Sequence, residues 1–525
     1  MSPYDVCIVG FGPTGATAAI LLADAGYRVA VIERLADVYD RPRAIALDHE
    51  IMRLFQQLDL IDEVLPHVAE YPASEYLGVD GDIIKRLDTA APPYPQGWFP
   101  NYSFTQPPVE ASLRRRAARA GATVFLGLEL VAMTQDESGV TLDAAGPDGA
   151  RTLIKARYVI GADGANSTVR RLSGLTLDDL DFDEPWLVVD VKVNEDAVAT
   201  LPQVNVQYCE PAHPATYVVG PGNHRRWELM LDESEDPAEA IRPERVWARL
   251  ARWVTPENAT LWRSATYRFH ALVASRWRAG RVFLAGDAAH QQPPFLGQGM
   301  CQGMRDAVNL SWKLDLVLRD AASETLLDTY GDERRHHVSQ LISVIKTLGR
   351  FVCERDVQKA RSRDQTLLAE MGGALVTTIR QDIMPRLDTG LLSVNGRLGR
   401  GGLFPQPRLT DGALIDDVVG CGFRVFVSAD ALPPSEGFRL GGADLSVTRI
   451  FAASTAPRLT DDLRTFVEID DVVGAWFRER DAIAALVRPD NYVFGVAATI
   501  EEIGALVEEC GRRLEQVAEP LATVP

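Results

Sequence analysis

Three clusters of glycine and acidic residues have the types and spacing to hold a nucleotide. Gly10-Phe11-Gly12-Pro13-Thr14-Gly15 follows the GxGxxG pattern. Each glycine there answers a separate need: Gly10 permits a tight turn, Gly12 lets the backbone approach a pyrophosphate, and Gly15 allows a helix to pack closely on a strand. Glu33, next to Arg34, can accept hydrogen bonds from an adenosine ribose hydroxyl, while its charge repels an added 2′-phosphate. Far downstream, Gly286-Asp287 precedes a loop carrying Pro293, Pro294, Gly297 and Gly299. An aspartate at such a turn can accept hydrogen bonds from the ribityl hydroxyls of FAD, and a helix beginning near Met300 offers its N-terminus to negative charge on a reduced flavin. A dehydrogenase that binds NAD alone has no need of this second, distant site. Asp163-Gly164 makes a third acidic turn.

These residues need a scaffold, and the flanking sequence predicts one. Val6 to Val9 reads as a strand, Ala16 to Ala25 as a helix closed by Gly26, and Arg28 to Ile32 as a second strand ending at Glu33, which makes a βαβ unit. Apolar runs also lead into the other two turns, Tyr158 to Ile160 before Asp163 and Val282 to Ala285 before Gly286. Gln106-Pro107-Pro108-Val109-Glu110 opens an amphipathic stretch that continues through Leu113 and Arg114. Between Trp186 and Leu231, alternating β-branched and aromatic runs predict an antiparallel sheet.

Composition limits what such a chain does. Its 525 residues carry a net charge of −19, and an acidic field of that size repels a phosphate backbone, so no nucleic-acid partner is expected. The six cysteines are scattered, without a CxxC pair or metal-ligand spacing, so neither a disulfide framework nor a metal site is expected. No charged leader opens the chain and no apolar run is long enough to span a bilayer, which together with the free thiols points to a soluble, cytoplasmic protein.

The order and separation of GxGxxG, Asp163-Gly164 and Gly286-Asp287 resemble the class A FAD-dependent aromatic hydroxylases, the p-hydroxybenzoate hydroxylase superfamily. Arg41-Pro42-Arg43-Ala44-Ile45 with Asp48 and Glu50, Gly297-Gln298-Gly299, Gly303-Met304-Arg305-Asp306-Ala307 and Asn309-Leu310-Ser311-Trp312-Lys313-Leu314 look most like its 3-(3-hydroxyphenyl)propionate hydroxylase branch. The likeness departs at Met300-Cys301-Gln302, beside the flavin loop. It implies an α/β fold: a Rossmann-like FAD-binding domain (1–180 and 276–400), an inserted antiparallel β-sheet substrate domain (181–275) and a C-terminal thioredoxin-like domain without CxxC (401–525). Gly401 to Pro407 reads as the linker to that last domain, which would serve stability or a homodimer contact. The resemblance also implies that Gln106 lies against the ribityl region, Arg43 near the isoalloxazine ring, and Pro293 and Pro294 beside the oxygen-activation site, while Asp163 serves both FAD and NAD(P)H.

The implied reaction hydroxylates a phenolic, hydroxyphenylalkanoate-type substrate with O₂ and NADH or NADPH through a flavin C4a-hydroperoxide. Its electrophilic oxygen demands an electron-rich ring, so a base or relay must take the phenol proton in a dry pocket. Asp48, His49 and Tyr217 are candidates for that relay, and Trp186, Tyr208 and Tyr217 for substrate contact. His290 reads as structural or flavin-flanking. Of the neighbours Arg225 and Arg226 at most one can face the pocket, since adjacent strand residues point to opposite faces. A polyketide hydroxylase, with the same motifs and a larger pocket, is the alternative. A flavin-dependent halogenase would need a catalytic lysine and a tryptophan-rich signature, neither of which is found, and a flavin-binding regulator would not need so intact a loop.

Overall fold

The computed structural model describes residues 3–372, 375–428, 440, 442–452 and 464–515. Parts of the expected 401–525 unit, including its last ten residues, lie outside these. The chain forms a mixed α/β fold with several sheets.

The N-terminal pattern produces the expected unit: strand Tyr4–Val9, helix Pro13–Asp24 and strand Val29–Glu33. Tyr4–Val9 pairs in parallel with Val29–Glu33 on one side and with Arg151–Gly161 on the other. Thr123–Leu126 and Val282–Leu284 extend this parallel core at its two ends. Strands buried on both faces read as continuous apolar runs, as Val6-Cys7-Ile8-Val9 does. The first helix rests on alanines buried against the sheet, and close packing is enforced by glycine: a Cβ on Gly15 would stand 2.0 Å from the carbonyl oxygen of Gly10. Gly10 itself has φ +99°, and its Cβ would meet Ala162 at 2.3 Å, so the turn after the first strand touches the turn after Arg151–Gly161.

A second sheet of nine strands faces this unit. Its centre is antiparallel: Ala259–Ala274, Leu177–Val193, His224–Met230, Ala215–Val219 and Asn205–Tyr208 lie side by side. The expected boundaries of 181–275 are too narrow. Ser74–Leu77 and Ile83–Asp88, from within the first segment, and Thr377–Ile379 and the two-residue His290–Gln291, from the third, complete the sheet, two of them through parallel pairings. Such short strands carry too few residues for local alternation to reveal them. The face turned away from the parallel unit holds its own apolar core of Leu187, Val189, Tyr217, Trp227, Leu229 and their neighbours.

The C-terminal region forms a separate five-stranded sheet: Arg464–Glu468, Leu445–Ala452 and Phe423–Ser428 run parallel, followed by the antiparallel strands Ala484–Val487 and Val493–Ala497. The expected linker is not a loose tether. Phe404 and Gln406 are fully buried, and the backbone N–H groups of Gly401, Phe404 and Gln406 donate to the carbonyls of Val493, Asn491 and Pro95. A Gly/Pro-rich stretch signals irregular backbone, and here that backbone is packed in a seam. Among the described residues no helix is long and apolar enough to cross a membrane.

Candidate functional site

A cleft of about 350 Å³ opens between the parallel unit and the large sheet. One wall comes from the three turns: Gly12, Pro13 and Thr14, then Ala162 and Gly164, then Ala285 and Asp287, with Pro294, Gly299 and Met300 beyond. These segments are locked together. A Cβ at Gly303 would lie 2.4 Å from Thr14 Oγ1 and one at Gly286, where φ is +61°, 2.8 Å from the same atom, so both positions demand glycine. Asp306 fixes the turn from behind, accepting hydrogen bonds from the Gly286 N–H at 2.9 Å and Arg334 Nε at 2.8 Å, with His290 Nε2 at 2.9 Å. His290 is buried and stacked on Trp277, which gives it a structural place behind the turn.

Against this frame the expected residues divide. Gly12 has open space where a Cβ would stand, as has Gly299, and both glycines border the start of a helix. The Glu33 carboxylate accepts the N–H groups of Phe11 (2.7 Å) and Leu35 (2.8 Å), which sets it beside the glycine turn, while Arg34 is exposed. Asp287 faces the cleft as an exposed carboxylate, and none of the hydrogen bonds among the described residues reaches it. Gln106 lines the cleft with its side chain already fixed: Oε1 accepts from Ala44 N–H at 2.7 Å and Nε2 donates to Glu110 at 3.0 Å. Arg43 borders the cleft and pairs with Glu110 at 3.1 Å. Gly297 turns the loop at φ +66°, a conformation that favours glycine. Asp163 is turned away from the cleft. It caps the short helix Thr168–Leu172, accepting from the Thr168 and Val169 N–H groups and from Ser167, and so shapes the turn that presents Gly164.

The relay candidates do not meet in this cleft. Tyr217 points to the opposite face of the sheet, packs on Trp227 at 5.1 Å and donates its hydroxyl to the Pro202 carbonyl. Tyr208 is on that face too, against Trp253. Trp186 is on the cleft side, stacked at 5.3 Å on Phe269, which lines the cleft. Asp48 caps the helix His49–Gln57, and although burial alone would raise its pKa, Arg305 at 2.5 Å holds the carboxyl below its ordinary value. Burial pushes His49 down to about 4, so it is neutral near pH 7, and together with Asp48 it lines a second cavity of about 190 Å³ bordered by Arg380, Gln381 and Tyr492. Alternation decides between the paired arginines: Arg226 faces the cleft, whereas Arg225 bonds the carbonyls of Gly220, Gly222 and His224.

The sheet wall also contributes residues that local sequence gave no reason to select: Val188, Glu228, Arg263, Tyr267 and Phe269, with Gln292 from the loop. Both polar atoms of the Gln292 amide are buried without a hydrogen-bond partner. Arg226 reaches Asp190 through Nε (2.7 Å) and a second nitrogen (3.2 Å), and the third donates to the Arg43 carbonyl at 2.8 Å. Burial would raise Asp190, but Arg226 and His224 bring it down to about 2. Glu228, beside this pair, is pushed up to about 7 by burial, opposed by Arg226.

An open helix start, an unpartnered aspartate and an unpartnered amide fit a ligand with a pyrophosphate, a polyhydroxyl chain and a heteroaromatic ring, which are the parts of FAD. Residues 3–344 match the family model described as FAD binding domain, and residues 401–512 match the HcaD C-terminal domain. The probable NADH-specific resorcinol 4-hydroxylase of Rhodococcus jostii (strain RHA1) is 38% identical over 96% of this chain and 94% of its own length. A 3-(3-hydroxy-phenyl)propionate/3-hydroxycinnamic acid hydroxylase of Mycolicibacterium smegmatis is 34% identical over 80% of this chain and 76% of its own. Among solved structures, the flavin-dependent monooxygenase PieE in complex with FAD and substrate superposes with a TM-score of 0.79 at 22% identity, covering 98% of this chain and all of that one, a likeness of fold.

Proposed function

The chain belongs to the FAD binding domain family as an FAD-dependent aromatic hydroxylase, and on that premise we propose that it hydroxylates a small phenol of the resorcinol or hydroxyphenylalkanoate kind with NADH and O₂. One observation carries this reading: a single narrow cleft in which unpartnered polar groups on the turn wall oppose a buried charged and aromatic patch on the sheet wall. The relatives named for one-ring phenols, at 38% and 34% identity, favour a one-ring substrate over the polycyclic alternative.

FAD, when bound, would take reducing equivalents from NADH and deliver one oxygen atom of O₂ to the ring. The chain's residues then have the following proposed roles. Gly10, Gly12 and Gly15 let the backbone and the first helix approach the pyrophosphate, Glu33 holds the adenosine ribose, and Asp287 with Gln292 takes up ribityl or ring polar atoms. Arg43, Pro294, Gly299 and Met300 border the ring, and Phe269 with Val188 excludes water from the substrate side. The name of the NADH-specific relative supports NADH over NADPH. The tail, with its parallel strands, antiparallel hairpin and closing helix Ile500–Glu515, supports the thioredoxin-like reading, and its packed seam supports a stabilising role.

The test is NADH oxidation by the purified flavoprotein with resorcinol, 3-(3-hydroxyphenyl)propionate and a polycyclic phenol. Acceleration by a one-ring phenol with recovery of a catechol or trihydroxybenzene is expected. Response to the polycyclic phenol alone would move the function to the larger-substrate class.

A further inference from the structure

Two carboxylates line the cleft, and they stand on opposite walls. Asp287 belongs to the turn that the FAD reading occupies. Glu228 stands on the sheet, in strand His224–Met230, directly across from Val188 on one neighbouring strand and Thr216 on the other. It is 5% exposed, and none of the hydrogen bonds among the described residues reaches it. The nearest cation, Arg226, is 4.0 Å away and has already committed its nitrogens to Asp190 and the Arg43 carbonyl. Arg263 is drawn off in the same manner, to Asp190 and the Tyr267 hydroxyl. A buried carboxylate that accepts no hydrogen bond is costly unless a ligand completes it.

Resting on the proposed function, we propose that Glu228 is the base that takes the substrate's phenolic proton, because it is the cleft carboxylate left without a protein donor on the wall opposite the flavin turns. The phenol O–H bond breaks, its electron pair stays on oxygen, and the proton passes to the Glu228 carboxylate, so the ring becomes a phenolate at the moment it must attack an electrophilic oxygen. Arg226, two residues away on the same face of the strand, and Arg263 place positive charge near the oxygen that gains the electron pair. Asp48, His49 and Tyr217 cannot serve in this cleft: the first is held by Arg305, the second lines the other cavity, and the third lies behind the sheet.

The groups around Glu228 set its titration. Arg226 on its own strand and Arg263 on Ala259–Ala274 favour the carboxylate, and Asp190 on Leu177–Val193 opposes it. Tyr71 lies close by, Tyr267 is on the same wall, and Arg43 and Asp287 stand across the cleft. With burial the dominant influence, the carboxyl is poised at about 7, which suits a base working near neutral pH.

The experiment compares phenol hydroxylation by wild type, E228Q and E228D from pH 5.5 to 10, with FAD content and phenol affinity measured alongside. Wild-type turnover should rise with pH and level off above about 7. E228Q should retain FAD and phenol, fall by about a hundredfold or more at pH 7, and then climb steadily toward the phenol's own pKa of about 10. E228D should keep a plateau with a displaced midpoint. An E228Q profile with the wild-type plateau, changed in KM alone, would make Glu228 a substrate-orienting group and overturn the proposal. Should E228Q fail to hold FAD, E228D decides: a displaced midpoint supports the base and an unchanged one overturns it. If wild type hydroxylates no phenol, the proposed function fails first and takes this inference with it.

Discussion

The molecule buries charge in two places and treats it in opposite ways. Along the seam between the tail and the flavin unit, buried charges meet partners. Arg488 is bound by Glu333 (2.7 Å) and Asp490 (2.6 Å), Lys313 sits 2.8 Å from the same Glu333, and Asp416 is shared by Arg53 (2.6 Å) and Arg424 (3.0 Å). In the cleft, Glu228 and the polar atoms of the Gln292 amide are buried, and none of the hydrogen bonds among the described residues reaches them or the exposed Asp287 carboxylate. The contrast is visible in the acids themselves. Burial raises both Glu333 and Glu228, but the cations at Glu333 bring it down to about 2, whereas Glu228 stays at about 7. Matched burial joins two parts of a fold, while unmatched burial keeps binding capacity free for a ligand at a cost in stability.

That comparison can be broken by mutation. The largest effect is expected at the seam, where Arg488→Ala removes the cation held between Glu333 and Asp490. Breaking a buried pair from one side costs about 3–5 kcal/mol, so chemical denaturation should show a loss of that size, and deletion of the tail should cost more, since it takes Asp416 from Arg53 and Arg488 from Glu333 together. An unchanged midpoint would mean that the seam charges do not stabilise the fold.

Asp287→Ala should behave in the opposite sense. Its carboxylate accepts no hydrogen bond among the described residues, so the apoprotein should melt at the same temperature or higher. Loss of a charge-assisted contact of about 1.5–3 kcal/mol should nevertheless weaken FAD by about ten- to a hundredfold. A variant that keeps its flavin through extensive dialysis would remove Asp287 from the cofactor site.

How far the sequence could be read follows from the range of each signal. The glycine turn, Glu33 and Gly286-Asp287 were legible because their constraint is local: a turn and a close approach need glycine whatever lies elsewhere. Asp163 was legible as part of a turn, but not as a cap, because that depended on Ser167 and the helix start swinging back onto it. Tyr217 failed for a reason of parity. Strand alternation places Tyr217 and Trp227 on one face and Val218 and Arg226 on the other, and which face meets the flavin unit is set by packing. Glu228 stayed hidden because its meaning lies in what Arg226 and Arg263 do with Asp190, a residue brought to them by strand pairing across a long stretch of chain. The Gly401–Pro407 segment misled in the same way: its composition signals irregular backbone, and only the strands it packs against make it a seam.

The central claim, that this cleft uses FAD to move one atom of O₂ onto a phenol, is tested most directly by a single turnover under ¹⁸O₂. The flavoprotein, NADH and resorcinol are mixed in unlabelled water and the product is weighed by mass spectrometry. One labelled oxygen in a newly hydroxylated ring, formed with one NADH consumed, is the predicted result. A product oxygen drawn from water, or NADH consumed with hydrogen peroxide as the sole oxygen product for every one-ring and polycyclic phenol offered, would contradict it.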